Sequence, residues 1–379
     1  MRKKLVPLVL GGLVVALAGC GNDDGGGSSA SGDFDAEKYF AGKTIRFIVD
    51  QSAGGGTDIQ GRLIAEELGK HIPGHPRVTV TNIAGRGGIE AAYDAGADEL
   101  VFGVASQASE LYTAPLSLQA DMDPEGVQYI GAMGEEQRAF FGYGPPAEEY
   151  ESIEDAFDNP EGTEFISAVS VGAPGDVQNE SFFIPWLCEN MNMPCKFISI
   201  ADDGSADLDL MIQRGEVTTD ASPLTVEFRN NLDALLDGKE KAFFTYTDDV
   251  EMETIWPDGI EEPPTIEDVL PPELYEEFQS MIPMVTSGGL GKSWFAGPKV
   301  SDEVMAVMRE AFDAVGADQD VMDELAKLVS GGDTAYISAT AISGEDATKR
   351  YLESTKAFYD QQENYEELQQ HYYDKYWKR

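Results

Sequence analysis

What most constrains the fold of this chain is a strand that runs into glycines and then into a helix, and recurs. Thr44 to Val49 is mostly apolar, as a buried strand is. It leads into Ser52-Ala53-Gly54-Gly55-Gly56-Thr57-Asp58, after which Ile59, Leu63, Ile64 and Leu68 have near-helical spacing. Val78 to Val80 is a second strand, followed by the glycine-rich turn from Asn82 to Gly88 and a short helix. Leu100 to Ala105 is a third, ending at Ser106. Alternation of this kind predicts an α/β fold with a mainly parallel sheet covered on both faces.

The pattern then restarts. Phe165 to Val171 is a strand ending in Gly172-Ala173-Pro174-Gly175-Asp176, and Phe197 to Ile200 leads to Asp202-Asp203-Gly204. Leu208 to Ile212 is helical, Val217 to Thr219 is a short strand ending near Asp220, and Ala242 to Thr247 returns toward the first unit. Two such units, with loops at their strand ends, predict two lobes and a ligand cleft between them. The expected divisions are residues 34–142 for the first part of lobe 1, 143–246 for lobe 2 and 247–350 for the rest of lobe 1. Val304 to Val315 and Val321 to Leu328 are expected surface helices of lobe 1. Residues 351–379 form an expected helical extension, its tyrosines and Trp377 serving as packing surface.

The N-terminus reads differently. Arg2, Lys3 and Lys4 precede an apolar run from Leu5 to Leu17, the layout of a signal peptide and too short for a spanning helix. Leu17-Ala18-Gly19-Cys20 resembles a bacterial lipobox, which implies removal of residues 1–19 and lipid on Cys20. The Gly- and Ser-rich stretch up to residue 33 is a flexible tether. The resulting expectation is an extracytoplasmic protein, anchored to a bacterial membrane by acyl chains.

The chain carries 26 Lys plus Arg against 69 Asp plus Glu, a formal charge of -43. Such a surface repels nucleic acid and suits high salt, as in halophilic proteins. Cys188 and Cys195 are expected to pair in an oxidising compartment; without nearby histidines they make a poor zinc site. The first glycine loop lacks the lysine of a P-loop and the spacing of a dinucleotide fingerprint, and no Gly-x-Ser-x-Gly elbow is present. No catalytic set stands out, and the expectation is no enzyme, no cofactor and no metal.

Glycines at 54, 55 and 56 let backbone approach a ligand, and N–H groups at a helix start favour a carboxylate or phosphate. Thr57 or Asp58 also serves as a helix cap there. Arg86 either faces an anion or pairs with a local carboxylate. Ser106, Gln107 and Ser109 offer neutral hydrogen-bonding groups. Asp176, Gln178, Asn179, Asp202, Asp203 and Asp220 lie at or near strand ends, and their carboxylates admit a cationic ligand as well as a plain acidic background.

These loops resemble the substrate-binding proteins of tripartite tricarboxylate transporters, the TctC or Bug family. Ala53, Gly54, Gly55 and Asp58 match its Pro-x-x-Ala-Gly-Gly-x-x-Asp signature, with Asp50 at the proline position and Gly61-Arg62 for Ala-Arg. Val80 to Gly88 is similar to its Val-Glu-Asn-x-Pro-Gly-Ala-Gly-Gly, with Thr81, Ala84 and Arg86 as departures. Gly172 to Gly175 resembles the Gly-Ser-Pro-Gly loop of its second lobe, and further matches run in order to about residue 340.

The resemblance implies a two-lobed, type II periplasmic-binding-protein fold. It implies capture of a small organic acid ligand and delivery to a membrane permease of large and small subunits, by a monomer. The implied ligand-binding set is Ala53, Gly54, Gly55, Gly56, Thr57, Asp58, Gly85, Arg86, Ser106, Gln107, Pro174, Gly175, Asp176, Val177, Gln178, Asp203 and Asp220, with Asp58 bracing the first loop. The other readings are a binding protein for an amino acid or aromatic acid, and a lipid-anchored sensory receptor.

Overall fold

The computed structural model describes residues 34–118, 122–169, 171, 173–200, 205–247, 252–286, 288–332 and 336–378. Cys20, the leader, the tether and Asp203 lie outside the described residues. Eleven strands run in chain order among them: β1 Thr44–Val49, β2 Arg77–Asn82, β3 Val101–Ala105, β4 Gln128–Gly134, β5 Arg138–Tyr143, β6 Phe165–Val169, β7 Cys195–Ser199, β8 Thr219–Pro223, β9 Glu240–Thr245, β10 Leu290–Ala296 and β11 Ala341–Ser343.

Six of them make one sheet in the order β11-β4-β10-β3-β1-β2. Phe47 stands opposite Val80 and Phe102 in the two parallel pairings. The rest of the sheet departs from the mainly parallel expectation, because β10 runs antiparallel to both β3 and β4, and β11 antiparallel to β4. The reason is topological. Helical crossovers force β1, β2 and β3 to run the same way, whereas β10 returns from the second lobe and enters the sheet from the opposite end.

The second lobe is built on two smaller sheets. In one, β5 lies between β8 and β9 and is antiparallel to both; the other pairs β6 with β7 in parallel. The chain leaves the large sheet at the end of β4 and enters the small one at β5, so residues 135–137 are one crossing between lobes. The molecule is thus an α/β protein of two lobes.

Local chemistry explains the helices that frame the first lobe. Asp302–Gly316 starts at Ser301, whose hydroxyl accepts from the Val304 amide, and buries Val304, Met305, Met308, Phe312 and Val315 at 3–4 residue spacing. Its Phe312 ring fills the space where a side chain at Gly131 of β4 would stand, leaving room there only for glycine. Gln319–Val329 is capped by Asp318 and buries the face formed by Val321, Met322, Leu325 and Val329.

The C-terminal helices touch both lobes. Gly344–Asp360 packs on β4 and on Ala108–Leu118, where the Tyr359 hydroxyl donates to the Tyr112 carbonyl (3.0 Å). Gln362–Tyr372 then reaches the second lobe. There the Gln369 amide donates to the Val177 carbonyl (2.8 Å), and Tyr372 meets the edge of Phe182. Tyr376 and Trp377 pack on Phe197 of β7. Cys188 and Cys195 are disulfide-bonded, tying the helix Glu180–Asn190 to β7. Among the described residues no helix is long and apolar enough to cross a membrane.

Candidate ligand cleft

The helix Gly56–His71 begins directly after β1, and its N-cap, Gly55, contributes no side-chain cap. Gly54 adopts φ +88°, a left-handed conformation natural to glycine, which turns the chain from strand to helix. Asp58 holds this turn from below. Its carboxylate accepts from the Gly54 amide (2.9 Å), the Asn82 side chain (2.8 Å) and Arg62 (2.8 Å). Burial works against the charged form, but these donors outweigh it and hold the carboxyl below its ordinary range. Asn82 also donates to the Gln51 carbonyl (2.9 Å), tying the two glycine loops together.

These loops open on a cavity of about 280 Å³ bounded by both lobes. Of the sequence-derived candidates, Gly55, Gly56, Thr57, Ser106, Gln107, Asp176, Gln178, Asn179 and Asp220 line it. Ala53, Gly54 and Asp58 stand behind the first loop, outside that lining. Gly85, at φ +76°, caps the next helix, and its amide donates to the Asp50 carbonyl (2.6 Å). Pro174 and Gly175 shape the short turn in which the Asp176 carboxylate accepts from the Ala173 amide (2.9 Å); Val177 is buried beneath it.

Arg86 lies behind the lining. It donates to the Thr113 hydroxyl (3.0 Å), which itself donates to the Gln178 side chain (2.7 Å) and so links the lobes. Burial lowers the Arg86 pKa, opposed by the nearby carboxylates of Glu110, Asp176 and Asp50. Asp50 is buried between β1 and the third strand's end, accepting from the Ser106 amide (3.1 Å). Burial, and then the Glu110 carboxylate, push its carboxyl well above the ordinary range.

The opposite wall adds Arg138, Glu180 and Glu227, which sequence reasoning missed, to Asp220, which it had named. Arg138 opens β5 in the apolar run Arg138-Ala139-Phe140-Phe141, and a charge at the edge of such a run was the available signal. Its guanidinium is paired with Glu180 and donates to the Tyr246 hydroxyl (2.8 Å) and the Ala221 carbonyl (3.1 Å). Burial would lower its pKa, yet Tyr246 and Glu180 prevail and raise it. Glu227 accepts from Tyr143 (3.1 Å), Ser222 (2.7 Å) and Asn231 (2.7 Å). Asp220, inside β8 and not at a strand end, is pushed up to about 7 by burial and by the Glu180 and Glu227 carboxylates. Lys292 of β10 reaches the cavity and pairs with Glu136 at 3.4 Å. Among the described residues, no cluster of three or more His, Cys, Asp or Glu is arranged to hold a metal.

No protein-family model matches the chain. No curated protein matches it either. Solved structures do. The periplasmic binding protein BugD is similar at 18% identity, over 87% of this chain and 97% of that one, with a TM-score of 0.60. A TctC solute-binding protein from Polaromonas is 18% identical, over 86% and 97%, with a TM-score of 0.53. MatC from Rhodopseudomonas palustris, with bound malate, is 15% identical, over 86% and 99%, with a TM-score of 0.59. These three are similar to the chain over nearly their whole lengths, and the polypeptide has the two-lobed fold of the Bug and TctC solute-binding proteins.

Proposed function

We propose that this protein is an extracytoplasmic solute-binding lipoprotein of the TctC/Bug type. It captures a small organic carboxylate in the cleft and delivers it to a tripartite tricarboxylate-type permease. The observation that carries this reading is the cavity between the lobes, into which the uncapped glycine start of a 16-residue helix opens. The amides of Gly55, Gly56 and Thr57, with the helix dipole behind them, suit a carboxylate, and Ser106 and Gln107 add neutral partners. Malate in the similar MatC supports the ligand class. Opening and closing would occur about the crossing at residues 135–137. Removal of residues 1–19 and lipidation of Cys20 would keep the protein beside its permease.

Deletion of the gene should abolish uptake of a labelled carboxylate such as malate, and the full chain should restore it. Cys20→Ala should release the protein from the membrane fraction. Ligand binding by the protein with unchanged uptake in the deletion strain would overturn the transport role and favour a sensory receptor.

A further inference from the structure

The chain crosses between the lobes more than once. Residues 135–137 take it from β4 to β5, and the stretch after β9 leads back to β10. These two crossings are tied side by side. The Arg138 amide donates to the Thr247 hydroxyl (2.8 Å), and the Met252 amide to the Glu135 carbonyl (3.3 Å). Adjacent crossings of this kind leave two lobes free to turn about them as a hinge.

A third crossing lies elsewhere. Gly344–Asp360 belongs to lobe 1, packed on β4 with Tyr351 and Phe358 fully buried. At Gln361 the chain leaves this helix, beside the Ser280 carbonyl, which accepts from the Tyr365 hydroxyl (2.6 Å). It then ends on lobe 2. Chain ends stay ordered only where they are tied down, and this one is tied twice. Glu189, on the helix Glu180–Asn190, accepts from Lys375 (2.9 Å) and Tyr376 (2.8 Å) and lies 3.0 Å from the His371 Nε2 atom. Trp377, only 3% exposed, meets the Phe197 ring of β7 edge to face. Midway, the buried Gln369 donates to the Val177 carbonyl (2.8 Å), beside Asp176 and Gln178 of the cleft lining.

We infer that residues 361–378 are an interlobe strap, a connection apart from the hinge that holds the lobes at the angle seen here. Its fixed end is the helix on β4, and its releasable end is the Glu189 and Phe197 fastening. A change of lobe angle must either carry the strap along or break that fastening, so the fastening sets how far the free protein opens. Because the strap presses on the Val177 backbone, its release also frees the cleft-lining turn of lobe 2. The inference goes beyond solute capture and holds whatever the cleft binds.

The test is the distance between the lobes in the ligand-free protein, read by double electron–electron resonance. Spin labels go on one exposed position of each lobe: Glu154→Cys in the helix Ile153–Phe157 and Glu310→Cys in Asp302–Gly316. Cys20→Ala leaves the disulfide-bonded Cys188 and Cys195 as the only other cysteines. Glu189→Ala combined with Trp377→Ala undoes the fastening without altering lobe 1, and deletion of residues 361–379 removes the strap. Each should broaden the distance distribution and shift its mean by more than about 2 Å, the deletion further than the double variant. Melting curves check folding; the deletion decides where it folds, and the double variant where it does not. An unchanged distribution in the deciding protein overturns the strap and leaves residues 361–378 as packing for lobe 2 alone.

Discussion

On one side of the cleft a single turn of chain, Gly55 to Thr57, brings backbone amides to the lining, beside the side chains of Ser106, Gln107, Glu110 and Lys292. On the other side stand titratable side chains: Arg138 on β5, Glu180 on the helix Glu180–Asn190, Asp220 on β8 and Glu227 on the helix Leu224–Asn230. An amide wall is set by local geometry, and its dipoles neither titrate nor need counter-charges. A wall of buried charges holds only while its members satisfy one another. The second wall should therefore be fragile toward mutation and pH, and the first should tolerate both.

Arg138→Ala is the strongest way to break this contrast. It leaves Glu180 without its cation and removes the donor to Tyr246 and Ala221, with a loss of about 3 kcal/mol in denaturant unfolding, at the low end because Glu180 keeps 28% side-chain exposure. A loss below about 1 kcal/mol, within the range of ordinary surface substitutions, would mean that the wall is not a mutually dependent network.

Asp220 makes the next largest difference, and its sign is opposite to that of most acids. Its carboxyl titrates near 4 in the unfolded chain and at about 7 in the folded one, so folding takes up a proton. Its stabilising contribution is complete below pH about 4 and is lost as pH rises through about 7. Asp220→Asn should thus stabilise the ligand-free protein at pH 8, on the order of 2 kcal/mol, and do little at pH 4. Melting curves of the two proteins across that range check it; parallel curves would place the Asp220 charge in a far wetter setting.

The same contrast explains what was legible in the sequence. The first loop could be read because its strand, glycines, bracing acid and helix are contiguous, each constraining the next within about fifteen residues. Most strands followed from hydrophobic runs for the same reason. Of the acidic wall only Asp220 could be read, because β5, β8 and two helices bring positions 138, 180 and 227 beside it only through the fold. Among 69 acidic residues, nothing in the sequence marks Glu227 as buried. The antiparallel entry of β10 was hidden likewise, since strand direction here depends on which end of the sheet a long excursion returns to.

On the amide wall, Asp58→Ala sharpens the comparison. Losing the bonds from Gly54, Asn82 and Arg62 should cost about 1–2 kcal/mol and loosen the ligand turn. The Asp58 carboxyl is held below its ordinary range, so this contribution is present above pH about 4 and disappears as pH falls through the lower folded value, the reverse of Asp220. A stability difference between wild type and Asp58→Ala that persisted at pH 2 would show that packing, not the carboxylate, braces the turn.

The smallest effects come from the glycines, which separate conformation from contact within one wall. Gly54 at φ +88° has open space around its missing Cβ, so Gly54→Ala strains the backbone alone and should cost about 1 kcal/mol. Gly56 has no such φ, and a Cβ there would come within 3.3 Å of the Arg229 Nη1 atom, the flexible end of a side chain from the opposite lobe. Gly56→Ala should therefore leave stability within about 0.5 kcal/mol while pressing on the Arg229 side chain across the cleft. The discriminating measurement is ligand affinity beside unfolding free energy for both variants. If Gly56→Ala weakens binding without a stability loss and Gly54→Ala costs both, the amide wall depends on the turn's conformation, and Arg229 sets how closely the second lobe can approach it. Equal effects of the two substitutions would mean that backbone strain at Gly54 is shared along the whole turn, and that wall could no longer be treated as rigid.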